Sequence, residues 1–190
     1  MKFLLKLKHW QLFLLIWGVP TALSVISNSN VGLSIIVAFP LMMLFFVFGL
    51  FGWVWAIATG LHEKVRPEVK QHLTTFKITF LIPIVYIAAL LVWMSFFAFD
   101  SSGEQSDPPV IFIVLFVVTH LVSMACIIMG LRYAAKTMRS VELHRAAKFG
   151  DYIGEFFLIW FSVVGIWILQ PRLNKLMEDH THDEVHPVTG

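Results

Sequence analysis

One histidine lies deep inside an apolar stretch, where an ionisable side chain is expensive to place. His120 is the eleventh residue of the run from Val110 to Leu131, so a membrane-crossing helix would hold it near the bilayer midplane. An imidazole there could relay protons, line the path of a substrate, or ligate a metal or haem. It could also be a neutral histidine hydrogen-bonded inside a helical bundle. The sequence favours this structural role and keeps His120 as the candidate for a substrate or proton pathway.

Two carboxylates open the last apolar stretch. Asp151 and Glu155 are four residues apart and therefore share one face of a helix. They could be the catalytic carboxylates of an enzyme that acts on lipid at the membrane surface, or they could meet a cation or a basic helix face. The simpler interpretation is a helix N-cap at Asp151 and a favourable partner of the helix dipole at Glu155.

Basic side chains near the ends of apolar stretches are candidates for contacts with lipid headgroups or a partner protein. Arg132, Lys136 and Arg139 are spaced to share one helix face, and Arg172 follows the last apolar stretch. Arginine near a membrane surface more often only anchors a helix, and this alternative stays open.

Three histidines near the C-terminus, His180, His182 and His186, are weak candidates for zinc or nickel. Ordering a flexible segment around a metal costs conformational entropy, so a solvated tail is the simpler interpretation. No cofactor is expected. The sequence has no phosphate-binding loop, no dinucleotide glycine pattern, no cysteine pair and no helical metalloprotease motif.

Long apolar runs must position all of these residues. Hydrophobic residues make up 58% of the 190 residues and charged residues 14%, against about 25% charged residues in soluble domains. The runs are continuously apolar, which favours helices over the alternating pattern of a membrane barrel. We predict an all-α integral membrane helical bundle with four transmembrane helices and a short fifth membrane-embedded helix. The predicted apolar helices are about 10–26, 31–59, 76–99, 110–131 and 152–169.

A single membrane-embedded domain is expected over residues 1–177, with a polar, disordered tail over 178–190. The residues after the fourth apolar run predict a cytosolic helical extension over 132–148. Gly150 is then the expected C-cap of that helix. The basic start and first apolar run also fit a secretory signal peptide, and the sequence leaves cleavage of this segment open.

The fifth apolar stretch decides the topology. Its uncharged core, residues 156–170, would form a helix about 22 Å long, short of a hydrocarbon layer about 30 Å thick. Gln170-Pro171 predicts an end or a kink in this helix. The stretch therefore either spans the membrane, re-enters it or lies in the interface. The sequence slightly favours four full spans with an embedded fifth helix.

The distribution of basic residues predicts the orientation. Of the 14 Lys and Arg residues, 12 lie in the N-terminal segment, in the loop after the second helix and in the segment after the fourth. The positive-inside rule places these segments, and so the N-terminus, in the cytoplasm. If the fifth helix does not cross, all 14 basic residues lie on that side.

Short stretches at both ends of the chain carry a resemblance. They read Leu7-Lys-His-Trp-Gln-Leu-Phe-Leu, Asp151-Tyr-Ile-Gly-Glu-Phe-Phe-Leu-Ile-Trp-Phe and Gly165-Ile-Trp-Ile-Leu-Gln-Pro-Arg-Leu-Asn. They resemble small, uncharacterised multi-pass inner-membrane proteins of bacteria. The resemblance implies a bacterial cytoplasmic (inner) membrane and carries over no activity.

The predicted spans are rich in Phe, Leu and Ile and poor in the polar groups that transport or catalysis requires. We therefore expect a non-enzymatic membrane component, either a scaffold or an accessory subunit. Its expected partners are the lipid bilayer and other membrane proteins or further copies of itself, with no nucleic acid. A small oligomeric transporter or channel with His120 in its pathway is the alternative. An interfacial lipid-acting enzyme that uses Asp151 and Glu155 is the second alternative.

Overall fold

The structure is a computed structural model that describes residues 2–28, 35–67, 69, 71–99 and 110–185. Within these residues the chain forms helices with short connections and no β-strand. The all-α prediction is confirmed for this part of the chain.

The chain begins with a 3₁₀ turn, Lys2–Leu5, and six longer helical elements follow among the described residues. The first, α1, joins His9–Phe13, a π-helical segment Leu14–Gly18 and Val19–Asn28 without a break. The others are α2 (Ile35–His62), α3 (Leu73–Phe99), α4 (Val110–Leu143), α5 (Phe149–Trp160) and α6 (Ser162–Val185).

Four helical stretches are long and apolar enough to cross a membrane. They are His9–Ser27, Ala38–His62, Leu73–Met94 and Val110–Leu143. These stretches correspond to the four predicted spans, although residues 31–34 of the second prediction lie outside the described residues. The prediction of four helices that are long and apolar enough to cross a membrane is therefore confirmed.

The fourth long helix, α4, ends earlier than predicted. The predicted extension over 132–148 is helical only as far as Leu143. His144 then adopts a left-handed backbone conformation with φ of 52°, a conformation that commonly closes helices. Gly150 is the second residue of α5, so the prediction that it caps the preceding helix was wrong.

The fifth apolar stretch contains two helices instead of one. The predicted helix over 152–169 is broken at Phe161, whose backbone leaves the helical region with φ of −91° and ψ of 60°. Glu155 of α5 and Arg172 of α6 are ion-paired at 2.9 Å. A continuous helix would hold residues 17 positions apart about 25 Å from each other. The chain therefore reverses at Phe161, and α5 and α6 form a hairpin.

A glycine allows the two arms of this hairpin to approach closely. A Cβ atom at Gly165 would collide with the backbone carbonyl of Leu158 on the opposite arm. Both residues lie within four positions of the corner, as expected where two antiparallel helices leave a tight turn. A larger side chain at position 165 would separate the arms.

Pro171 does not end the last helix, so of the two predicted outcomes, an end or a kink, the end was wrong. It lies inside α6, which continues to Val185 and so extends beyond residue 178, where the sequence placed the start of the tail. Gln170 and Arg172, on either side of the proline, are both held by contacts to other elements. The helix therefore continues through a proline whose two neighbours are both anchored.

The buried core occupies one half of the bundle. Trp53 and Ile57 of α2 pack with Met138 of α4 and Leu169 of α6, and all four side chains are fully buried. The other half is open, since every residue from Val110 to Val122 in α4 is exposed. The tightly packed half is also the half where the charged side chains of α4, α5 and α6 meet.

Candidate functional site

Four charged side chains meet at the packed half of the bundle and form the ion-pair cluster: Arg139, Glu142, Glu155 and Arg172. Arg172 donates from Nε to Oε1 of Glu142 at 3.0 Å and from Nη2 to Oε2 at 2.6 Å. The same Nη2 donates to Oε1 of Glu155 at 2.9 Å. One guanidinium thus joins a carboxylate of α4 to a carboxylate of α5.

Arg139 completes the ion-pair cluster from the opposite side. Its Nη1 donates to Oε2 of Glu142 at 2.8 Å and lies 4.0 Å from Oε1 of Glu155. Its Nε donates to the backbone oxygen of Asp151 at 3.1 Å. Two cations therefore face two carboxylates, and their charges balance inside the cluster.

The side chain of Glu155 is only 10% exposed, so its charge depends on these partners. Burial opposes the charge on Arg172, but its hydrogen bonds to Glu142 and Glu155 outweigh burial and raise the pKa of the guanidinium further. The charged form of Arg172 is therefore favoured. The hydrogen bond from Arg172 to Glu155 links α6 to α5 and occupies an oxygen of that carboxylate.

Asp151 lies apart from the ion-pair cluster, on the first turn of α5. Its Oδ2 accepts from Nη1 of Arg145 at 2.8 Å and from the backbone nitrogen of Lys148 at 2.9 Å. The hydrogen bond from Arg145, followed by that from Lys148, lowers the pKa of Asp151 below its ordinary value. The N-cap position belongs to Lys148, so the prediction of an N-cap at Asp151 was wrong by three residues.

A buried amide next to the ion-pair cluster ties three segments together. Oε1 of Gln170 accepts from Nε1 of Trp53 in α2 at 2.9 Å. Its Nε2 donates to the backbone oxygens of Leu7 at 2.8 Å and Leu4 at 3.0 Å. Because those carbonyls belong to the first residues of the chain, Gln170 fixes the N-terminal segment against α2 and α6.

Arg132 and Lys136 lie outside the ion-pair cluster. Arg132 donates from Nε to the hydroxyl of Tyr152 at 2.9 Å, which links α4 to α5. Lys136 has no carboxylate within 4.0 Å in the described part of the chain. The four predicted headgroup or partner contacts thus separate into two groups, with Arg139 and Arg172 engaged internally and Arg132 and Lys136 lying along an open cleft.

His120 lies outside this polar half of the bundle, on the exposed part of α4. Its Nδ1 is 3.2 Å from the hydroxyl of Tyr86 in α3, and its ring stacks on Phe116 with centroids 6.0 Å apart. The histidine is exposed on the surface of the bundle. The structure therefore brings His120 together with Tyr86 and not with the other candidate residues.

The weak metal candidates fall where the structure gives no side-chain detail. The side chains of His180 and His182, and the whole of His186, lie outside the described residues. Among the residues that are described, no group of three or more His, Cys, Asp or Glu side chains could hold a metal ion.

Sequence reasoning missed two members of this region, Glu142 and Gln170. Glu142 follows Arg139 by three residues on a helix that was expected to be basic, and this spacing signals an ion pair. Gln170 was expected to precede an end or a kink of the helix at Pro171. An amide at the end of a run of apolar residues is itself a signal of a buried hydrogen bond. No protein-family model matches this chain, and the comparisons with curated proteins and with solved structures found no match.

Proposed function

We propose that the protein is a multi-pass component of a bacterial cytoplasmic membrane with four spans and a cytoplasmic N-terminus. The proposal includes a fifth, re-entrant element, the hairpin of α5 and α6, which enters the bilayer from the cytoplasmic side and returns. The four apolar helices and the basic residues grouped at one end support this arrangement.

The surface of the hairpin supports its placement in lipid. Around its corner, Phe157, Phe161, Val164 and Trp167 are between 47% and 61% exposed. Away from the corner, Arg172 is paired both to Glu155 and to Glu142 at the end of α4. An apolar tip with a charged base is the distribution expected of an element that dips into a bilayer and does not cross it.

We further propose that the protein acts without catalysis, as a scaffold or accessory subunit of a membrane complex. The observation that carries this proposal is the ion-pair cluster, in which Arg172 binds Glu142 and Glu155 at once. Glu155, one of the two acidic candidates for chemistry, is used to hold α4, α5 and α6 together, and the other, Asp151, pairs with Arg145. A rigid, internally paired base with extended apolar helices above it suits a protein that presents surfaces to partners.

Exposed apolar residues supply such a surface. Along α4, Val110, Ile111 and Phe112 are 62% to 74% exposed, and the exposure continues to Val122. In a bilayer this helix half can contact lipid, another protein or a second copy of the chain. The proposal takes a protein partner, because these exposed side chains leave the face of α4 free for packing.

One observation favours the transporter alternative. Tyr86 and His120 form a polar contact between two apolar helices. Near the predicted bilayer midplane such polar groups are costly and usually serve a function. A second copy of the chain could cover this pair and create a path along it. The same pair can equally hold α3 against α4, so the next experiment separates these functions.

Native electrophoresis of gently solubilised membranes that contain the tagged protein tests the scaffold proposal. We expect a particle larger than the monomer, with a partner protein present in fixed stoichiometry. The particle should persist in His120→Ala and in the double variant Asp151→Asn, Glu155→Gln if that variant folds. A monomeric or homo-oligomeric particle that drives solute flux in liposomes, with flux lost in His120→Ala, would overturn the proposal in favour of transport.

A further inference from the structure

A cleft of about 300 Å³ opens between α3 and α4 near the charged half of the bundle. Its lining changes character along its length. Gln71, Arg132 and Lys136 contribute polar or charged groups, whereas Phe76 and Met129 contribute apolar surface. No carboxylate is among the described residues that line it. The cleft is therefore cationic at one end and apolar at the other.

The cationic end has unused hydrogen-bond donors. Arg132 and Lys136 are one helical turn apart and project on the same face of α4. The hydrogen bond from Nε of Arg132 to Tyr152 leaves both terminal nitrogens of the guanidinium to donate elsewhere. Lys136, as described above, has no ion pair among the described side chains. Two positive charges therefore face the cleft with spare donors.

A third donor lies beside them. Gln71 accepts at Oε1 from the hydroxyl of Thr137 at 2.8 Å, in competition with the backbone oxygen of Tyr133 for the one hydroxyl proton. Its Nε2 is buried and has no hydrogen-bond partner within the described residues. A buried amide nitrogen without an acceptor is uncommon in folded proteins and calls for an explanation. An anion bound in the cleft would supply the acceptor.

The apolar end is shaped by close packing of the two helices. A Cβ atom at Gly130 would collide with the ring of Phe80, so the glycine allows α3 and α4 to meet below the cleft. Met129 lines the cleft and is 51% exposed. The apolar end thus opens onto the outer surface of the bundle, where an alkyl chain could continue along the helices.

We propose that this cleft binds one anionic phospholipid. Its phosphate accepts from Arg132, Lys136 and Nε2 of Gln71, and one acyl chain lies over Phe76 and Met129. A tetrahedral phosphate has enough oxygens to accept from all three donors, and the two cations attract its negative charge. This inference rests on the proposed membrane placement and is independent of the scaffold role.

Native mass spectrometry of the purified protein in a neutral detergent tests the site, with phosphatidylglycerol and phosphatidylcholine of the same acyl chains as probes. We expect tighter binding of phosphatidylglycerol. The variant Lys136→Gln should weaken that binding roughly fivefold, the effect of one basic residue at a charged surface. Lys175→Gln is the matched control, because Lys175 is an exposed lysine on α6 away from the cleft, and it should leave binding unchanged. Lys136 is the better choice than Arg132, which also holds Tyr152.

A second variant tests the apolar end. Met129→Trp fills that end without changing the charge. It should weaken the binding of phosphatidylglycerol by more than Lys136→Gln does. Inorganic phosphate and glycerol phosphate serve as probes without acyl chains and should bind far more weakly than the lipid. Equal affinity for the two lipids, or equal effects of Lys136→Gln and Lys175→Gln, would overturn the site. If inorganic phosphate binds tightly and Met129→Trp leaves that binding unchanged, the proposal of a lipid ligand is wrong and the site binds a free anion.

Failure of the site is distinguishable from failure of the membrane placement. Alkaline carbonate releases peripheral proteins from membranes and leaves integral ones behind. If carbonate releases the protein, the membrane placement itself is wrong. If the protein resists extraction but shows no preference for phosphatidylglycerol, only the lipid site is overturned.

Discussion

Nε1 of Trp53 donates a 2.9 Å hydrogen bond to Oε1 of Gln170, although 117 positions separate the two residues. Both side chains are fully buried. Nε2 of Gln170 donates in turn to backbone oxygens of the N-terminal segment. This bond therefore connects the second apolar helix, the start of the chain and the returning arm of the hairpin in the centre of the core.

Replacing this amide should destabilise the fold. Gln170→Leu removes the acceptor of Trp53 and the donor to the carbonyls of Leu4 and Leu7, and each buried group left unpaired costs about 1–3 kcal/mol. We expect a total loss of roughly 2–4 kcal/mol, measured by unfolding in detergent. Gln11→Leu, which removes an exposed amide, should lose less than about 1 kcal/mol. Similar losses in the two variants would contradict this role of Gln170.

The ion-pair cluster should show coupling between its members. Arg172→Met leaves Glu142 and Glu155 without their main partner. We expect a loss of about 2 kcal/mol, below the 3–5 kcal/mol of a fully buried pair because Arg172 is 33% exposed. In a double-mutant cycle with Glu155→Gln, the double variant should lose less stability than the sum of the losses in the two single variants. Arg145→Met, which breaks a more exposed pair, is the control and should cost under about 1 kcal/mol. Additive losses in the cycle would show that Arg172 and Glu155 do not interact.

The pH dependence of stability should reveal the charge on Asp151. Its pKa is lowered in the folded protein, first by the hydrogen bond from Arg145, so folding favours its charged form. The stabilisation is complete above the unfolded pKa of about 3.9 and is lost as the pH falls through the lower folded value. The difference in unfolding temperature between the wild type and Asp151→Asn should stay constant from about pH 5 to 8 and shrink below about pH 4. A difference that changes between pH 5 and 8 would assign the titration to another group.

The position of the C-terminus tests the re-entrant hairpin. Because α6 returns beside α5, a reporter fused after Gly190 should lie on the same side of the membrane as the N-terminus. A fusion after Glu104, in the segment between α3 and α4, should report the opposite side. If the fusion after Gly190 also reports the opposite side, the last apolar stretch crosses the membrane and the hairpin does not form in the bilayer.

His120 should be dispensable for folding. Its side chain is exposed, and its contact with Tyr86 is a single hydrogen bond of 3.2 Å, worth about 1 kcal/mol or less. We expect His120→Ala to accumulate in membranes like the wild type and to unfold at nearly the same temperature. Proton flux into liposomes, followed with an internal pH-sensitive dye, should be the same for both proteins. A folded variant with lost flux would contradict the scaffold proposal.

The lengths of the apolar runs determined the helical architecture. Hydrophobicity adds residue by residue, so a run near 20 residues predicts a spanning helix without knowledge of its neighbours. The four stretches identified in this way are helices in the structure. The candidate charges could also be located from sequence, because ionisable residues stand out within or beside apolar runs. Their partners could not, except where spacing along one helix implied a pair, as for Arg139 and Glu142.

Only the tertiary structure decided what the charged residues do and how the last stretch folds. The break at Phe161 brings Gly165 close to Leu158, and Gln170 and Arg172, on either side of Pro171, bind side chains of α2 and α4. These contacts join residues far apart in the chain, and their energies depend on distance and burial that no local pattern contains. Three of the side chains that the sequence presents as candidates for contacts or chemistry, Arg139, Glu155 and Arg172, therefore become, once packed, groups that bind α4, α5 and α6 together.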